Sequence, residues 1–217
     1  MSEKKKRGKE FDNPYSVAKA VTKGNVLTKL SMVVLGLGNS AHHQIIKGLG
    51  MLAIEIAFIA FMVLEGAGYI VDLVHLGGQE QQKVWSEAKQ IYEYTKGDNS
   101  LLMLLFGVAT CFLVVAFIIF WRGSVKSAYK MQCLAEAGKK IPTFKEDIKS
   151  LFDKDLHRTL LTLPILGILI FTVLPLVFMI CMAFTNYSKV DAHTTIFDWV
   201  GLANFAKVLN IGDSIGS

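Results

Sequence analysis

LLMLLFGVATCFLVVAFIIFW, Leu101 to Trp121, is a run of 21 residues without a charge, and LLTLPILGILIFTVLPLVFMICMAFTNY, Leu160 to Tyr187, is a longer one. A helix rises about 1.5 Å per residue and the hydrocarbon core of a bilayer is about 30 Å thick, so about twenty apolar residues make one crossing. Both stretches meet that length, and they place the chain in a membrane. The composition agrees: 52% of the 217 residues are hydrophobic and 19% charged, with a mean hydropathy of +0.42.

The net charge of +5 is distributed rather than clustered. Lys and Arg number nine before Gly48, three between Gly66 and Ser100, nine from Arg122 to Thr159, and two after Ser188. Such alternation is the imprint of the positive-inside rule on successive loops, and it implies three crossings with a cytoplasmic N-terminus. The first crossing falls near Leu49–Tyr69, where Leu49–Leu64 is apolar apart from Glu55. Basic segments without aromatic interleaving or a recognisable module do not suggest a nucleic-acid binder.

The expected fold is all-α integral membrane, with three transmembrane helices and interfacial amphipathic helices. By residue, the expected plan is a cytoplasmic basic tail and interfacial segment (1–44), transmembrane helix 1 (45–71), an outer loop with an amphipathic helix (72–100), transmembrane helix 2 (101–121), a cytoplasmic loop with amphipathic helices (122–159), transmembrane helix 3 (160–187) and an outer segment (188–217).

Local signals refine this plan. Ser16 is placed to cap a short helix, and Val17, Val21, Leu27, Leu30, Val33, Val34 and Leu37 form a partial helical stripe interrupted by Gly24, Gly36 and Gly38; an interfacial segment is expected there. Val84, Trp85, Ala88, Ile91 and Tyr92 fit a helix with one apolar face. Helix 2 is expected to continue to Ala137 and stop at Gly138. Thr143 followed by Glu146 forms a capping box, in which hydroxyl and carboxylate each satisfy a free backbone N–H, opening a helix with Phe144, Ile148, Leu151, Phe152 and Leu156 on one face. Pro175 removes a hydrogen bond to the carbonyl of Phe171 and predicts a kink.

Candidate chemistry is sparse. Glu55, an ionisable group inside a span, suggests a proton or substrate pathway because burying charge in lipid is costly; the competing reading is a packing role, with Lys47 or a neighbouring helix as partner. Glu65 is expected at the outer boundary, with Asp72 and His75 on the outer surface. His42 and His43 point about 100° apart on a helix, and no Cys or acid completes a metal set. Cys111, Cys133 and Cys181 are odd in number, and two fall inside spans, so no disulfide framework is expected. No phosphate loop, G-x-S-x-G or H-E-x-x-H is present, so neither an enzyme nor a cofactor is expected. The basic N-terminus is followed by no apolar run and no small-residue cleavage site, so no cleaved signal is expected.

Two segments carry a resemblance. LPLVFMICMAFTNYSK (174–189) with Pro175-Leu176 and Ala183 to Ser188, then FDWVGLANFAKVL (197–209) with Val200-Gly201-Leu202 and Asn204-Phe205, resemble the first of the two permease subunits of bacterial maltose and maltodextrin ABC importers. IIKGLGMLAIEIAFI from Ile45 and KGDNSLLMLLFGV from Lys96 extend the resemblance toward the Gram-positive branch, as does the short loop between spans 1 and 2. The resemblance implies a membrane-spanning subunit of an ATP-driven carbohydrate importer working by alternating access. It further implies as partners a second homologous permease subunit, an ATP-binding cassette ATPase dimer, an extracytoplasmic sugar-binding protein and membrane lipid. Such permeases continue through further spans and a loop that docks into the ATPase, so this chain reads as a truncated importer permease, its N-terminal part. The family's sugar contacts lie largely in those later spans, and no substrate-binding residue is assigned. The alternatives are a small three-span assembly protein without transport activity and a proton-coupled carrier using Glu55.

Overall fold

The computed structural model describes residues 15–87, 90–94, 97–153, 156–188 and 195–215. Among the described residues three helices are long and apolar enough to cross a membrane: Ile45–His75, Ser100–Glu136 and Thr159–Met182. The fold is all-α integral membrane, as its three spans predict. The chain divides into two compact units, one formed by the chain up to Ala60 with Ala116–Thr159, the other by Phe61–Val115 with the chain from Leu160.

In the first unit, α1 (Val17–Lys23), α2 (Val26–Leu30) and α3 (Leu37–Ala41) precede α4 (Ile45–Phe61). Ser16 does cap α1, its hydroxyl accepting from the Lys19 N–H at 3.2 Å. The apolar stripe faces away from the rest of the unit: Val21, Leu27, Leu30 and Val33 are exposed, whereas Ala20, Thr28, Ser31, Leu35 and Asn39 are buried. Small and hydrogen-bonding residues face the protein here because lipid covers apolar side chains as well as a protein core does.

The face that α4 turns into this unit follows the same rule. Gly48 and Glu55 are its buried residues, Met51 Sδ accepts from Ser124 Oγ at 3.2 Å, and Phe58 stacks on Phe117 with centroids 3.8 Å apart. Positions 48, 51, 55 and 58 recur every three or four residues, and so share one side of a helix.

A π turn at Met62–Gly66 joins α4 to α5 (Ala67–His75), with the Ala67 N–H reaching the Met62 carbonyl. Glu65 lies in this turn, and the helix continues ten residues beyond it. α6 is one helix from Ser100 to Glu136, and Gly138 follows with a φ of +60°. α7 (Phe144–Phe152) carries the complete capping box of Thr143 and Glu146. Its first turn also holds the ion pair Lys140–Glu146 at 2.6 Å; this ammonium, with the Thr143 N–H, keeps the Glu146 carboxyl below the usual carboxylate range.

The third span is α8 (Leu156–Ile168), a π turn at Leu169–Val173, and α9 (Leu174–Met182). Pro175 acts where expected, but as a widened turn: Phe171 sits inside the π segment, and the Leu174 N–H bonds the Leu169 carbonyl five residues back. An extra residue in the turn accommodates the missing donor and the proline ring.

The stretch at 83–94 corrects an expectation. It forms an antiparallel hairpin of β1 (Lys83–Ser86) and β2 (Ile91–Tyr94), pairing Trp85 with Tyr92, rather than an amphipathic helix; Ala88 lies outside the described residues. Val84, Trp85, Ile91, Tyr92 and Tyr94 are β-branched or aromatic, and cross-strand contacts exploit them. The Trp85 and Tyr92 rings meet edge-on at 4.9 Å, and Lys83 lies 4.6 Å over the Tyr92 ring. α10 (Ala203–Ile215) closes the second unit.

Candidate functional site

Two hydrogen-bonded clusters, one in each unit, hold most of the buried polar groups. In the first unit the centre is Gln132 of α6, only 4% exposed. Its Oε1 accepts from the Asn25 N–H at 2.9 Å and the Thr28 hydroxyl at 2.8 Å, and its Nε2 donates to the Lys23 carbonyl and to Glu136. One amide thus satisfies the backbone where α1 breaks into α2 at Gly24. Trp121 Nε1 donates to the Met32 carbonyl at 2.8 Å, and Ser31 Oγ accepts from the Gly38 N–H at 2.5 Å.

Glu55 belongs to this cluster. Its Oε2 accepts from the buried Leu35 N–H at 2.8 Å, so the carboxyl tethers the turn before α3. Lys47 is not its partner: the Lys47 ammonium pairs with Asp147 at 2.6 Å, across the start of α4 and the first turn of α7. Gln44 reaches the same Asp147 oxygen at 3.2 Å and the Pro142 carbonyl at 2.6 Å. Asn39 bridges Gln44 Oε1 and Ser127 Oγ, each at 2.9 Å. His42 and His43 occupy the α3–α4 turn, His43 with a φ of +64°. Among the described residues no three His, Cys, Asp or Glu side chains gather in metal-binding geometry, and the three cysteines are free.

In the second unit, the segments that carry the family resemblance fold into one corner. Asn204 Nδ2 donates to the Ala183 and Thr185 carbonyls at 3.0 and 2.7 Å, covering the unpaired end of α9. Asn186 and Asp198 exchange two bonds, Asn186 N–H to the Asp198 carbonyl at 3.0 Å and Asp198 N–H to Asn186 Oδ1 at 2.7 Å. Val200 bonds the Phe184 carbonyl at 2.8 Å, Gly201 takes a φ of +58°, and Phe184 meets Phe205 at 5.3 Å. The conformation of this corner therefore depends on Asn, Asn and Gly at set positions.

Beside the corner, Phe197 is buried with Leu76, Leu104 and Val108. Ser100 joins the pieces: its N–H bonds the Thr195 carbonyl at 2.9 Å, and its hydroxyl donates to the Leu76 carbonyl and accepts from the Phe197 N–H. Asp98 organises the preceding loop, its Oδ2 accepting from the Gly78 and Gln79 N–H groups at 2.9 and 3.0 Å. A cavity of about 610 Å³ opens here, lined among others by Glu80, Asp98, Asn99, Asn186 and Asp198.

The Gly78 and Gln79 donors hold the Asp98 carboxyl below its usual range. An unfolded loop would therefore take up a proton first. The loop's stabilisation is complete above the ordinary carboxylate pKa and is lost as pH falls through the lowered value. Hydrogen exchange of the 77–82 peptide, corrected for intrinsic rates, should show protection that is constant from pH 7 to about pH 5 and falls towards pH 3. Asp98→Ala should be weakly protected and indifferent to pH across that range. Equal protection in the two proteins at pH 7 would show that Asp98 does not order the loop.

Comparison with known proteins adds identity to this geometry. The maltodextrin transport system permease protein MalC of Streptococcus pneumoniae serotype 4 is 24% identical over 184 residues, covering 84% of this chain and 39% of that protein. MdxF of Bacillus subtilis strain 168, also a maltodextrin transport system permease protein, is 26% identical over 200 residues, covering 88% of this chain and 42% of that protein. The chain thus spans about two fifths of the length of the curated relatives it matches. No family model matches the chain, and no solved structure does. With three apolar spans and this likeness running along most of its length, the chain is a homologue of the maltodextrin transport permeases of Gram-positive bacteria.

Proposed function

We propose that the chain forms part of the membrane permease of an ATP-driven carbohydrate importer, with maltose or maltodextrin-type sugars as cargo. The observation that carries this reading is the similarity to maltodextrin transport permeases along 84–88% of the chain. The charge alternation supports an N-terminus in the cytoplasm, with crossings at 45–71, 101–121 and 160–187.

The partners in this reading are a second permease subunit, a pair of ATP-binding cassette ATPases and an extracytoplasmic sugar-binding protein. The third span supports the need for further helices or lipid around it. None of its most apolar stretch is buried within this chain, and Leu163, Phe171 and Met179 stand exposed along it. The work of transport would be a shift between two permease states, driven by ligands that bind them unequally.

Glu55 serves this reading as a tether, because its Oε2 is engaged by the Leu35 N–H. The test is co-purification of the full gene product with its neighbouring gene products, followed by ATPase measurement in proteoliposomes. Recovery of an ATPase whose turnover rises with maltodextrin supports the importer. A stable membrane protein that recovers no ATPase supports the three-span assembly protein instead.

A further inference from the structure

A second cavity, of about 320 Å³, lies wholly within the first unit, where Lys47, Lys126, Ser127, Lys130 and Asp147 line it with Tyr15. We propose that this pocket binds a phosphate group at the membrane surface, with the headgroup of an anionic phospholipid as its expected source. The inference goes beyond sugar transport and holds whichever face of the membrane is cytoplasmic.

Charge makes the first part of the case. Asp147 is already engaged, by Lys47 at 2.6 Å and Gln44 at 3.2 Å, so its negative charge is offset inside the pocket wall. Lys126 and Lys130, one turn apart on α6, have no acidic partner among the described residues. Two positive charges are thus left facing one cavity, where they repel each other unless an anion joins them. Ser127 between them accepts from Asn39 Nδ2, which leaves its own O–H to donate to an acceptor in the cavity. Ammonium groups beside a hydroxyl form a donor set suited to phosphate oxygens.

Position makes the second part. Lys47 is in the first turn of the span that begins at Ile45, and the uncharged run of α6 ends at Trp121. Lys126 and Lys130 therefore lie about 7 and 13 Å beyond that end along the helix. That is headgroup depth. Ile45, Ile46 and Leu49 stand exposed at the same end of α4, offering an acyl chain an apolar wall. The volume equals roughly ten waters at about 30 Å³ each, which gives a phosphodiester room to enter with part of its hydration. Gly123 also lines the cavity, and a Cβ there would meet nothing within 4 Å. A side chain at 123 can consequently fill the space without disturbing the helix.

The full chain in nanodiscs of phosphatidylcholine with 30% phosphatidylglycerol should retain phosphatidylglycerol preferentially when released for native mass spectrometry. Removing one surface lysine weakens attraction to anionic lipid about fivefold, so Lys126→Gln with Lys130→Gln should lower retention by about tenfold or more. Gly123→Leu should do the same by occlusion. Lys145→Gln with Lys149→Gln, an equal loss of charge on α7, should change retention less than twofold. In a parallel arm, inorganic phosphate at millimolar concentration is titrated against protein in neutral detergent, with ³¹P NMR line broadening as readout. Lysine-dependent lipid retention supports the proposal with lipid as the source. Lysine-dependent broadening without lipid selectivity supports it with free phosphate as the source. Equal losses in the α7 control, or neither signal in the unaltered protein, overturn it.

Discussion

Glu55→Leu is expected to release the segment from Ser16 to Gln44 from the first unit, while Glu55→Gln leaves it docked. Leu35 is 1% exposed and Glu55 8%, so the Leu35 N–H and the carboxyl oxygen that receives it are both shielded from solvent. Leaving a buried donor unsatisfied costs about 1–3 kcal/mol, and a loss near 2 kcal/mol raises the open population about thirtyfold. Lys19, Lys23 and Lys29 lie in the segment, so trypsin reads that population directly if reclosing is faster than cleavage. Leucine should accelerate cleavage by about ten- to thirtyfold. Glutamine keeps an oxygen acceptor of nearly the same reach and should stay within about fivefold. Equal cleavage of the leucine variant and the unaltered protein would show that the tether carries no stability. Sugar uptake by the glutamine variant in the assembled transporter separates the tether from a proton pathway, because an amide preserves the first and abolishes the second.

How far the sequence foretold this cluster follows from what lipid does to hydrophobic patterning. The two uncharged runs announce their helices through length alone, and the capping box at Thr143 and Glu146 and the break at Gly138 are local chemistry that needs no partner. The N-terminal segment was legible as helical pieces but its buried side was not. In water its apolar stripe would be the core, whereas Val21 and Val33 are exposed and Thr28, Ser31 and Asn39 are buried. A signal was present in the opposite sense: on α4 two residues that stand out from an apolar background, Gly48 and Glu55, are the ones buried against the rest of the unit. The hairpin at Lys83–Tyr94 failed for another reason. The spacing of Val84, Trp85, Ile91 and Tyr92 fits a helical face while their β-branched and aromatic side chains suit strands, and the pairing of Trp85 with Tyr92 decides between them. Similarly, the segments 174–189 and 197–209 carry the resemblance to maltodextrin permeases in their sequence alone. That Asn204 closes the end of α9 depends on a contact between side chain and carbonyls 19 and 21 residues apart, which no local pattern records.

Gly48→Ala is expected to destabilise the same docked segment, although the exchange of glycine for alanine inside a helix ordinarily stabilises by about 1 kcal/mol. The sign is set by a close approach of two backbones. A Cβ on Gly48 would lie 2.0 Å from Ser40 Oγ and 2.5 Å from the Gly36 carbonyl oxygen, and a Cβ on Gly36 would lie 2.2 Å from the Gly48 oxygen. The Ser40 hydroxyl can rotate away, but the Gly36 carbonyl belongs to a turn whose φ of +81° already favours glycine. Either the turn lifts from α4 or the helix shifts, and overpacking of this kind costs about 1–3 kcal/mol. Gly50, two residues on, meets nothing within 4 Å at its Cβ position, so Gly50→Ala should be neutral or slightly stabilising. Trypsin cleavage and thermal unfolding in the same detergent should therefore move in opposite directions for the two variants. If both alanines behave alike, the backbones of Gly36 and Gly48 are not in contact. Gly48 and Glu55 sit two turns apart on one face of α4 and hold adjacent residues, Gly36 and Leu35, of a single turn. Once either hold is lost the other has less left to secure, so the double variant Gly48→Ala with Glu55→Leu should fall short of the summed effects by about 0.5 kcal/mol or more.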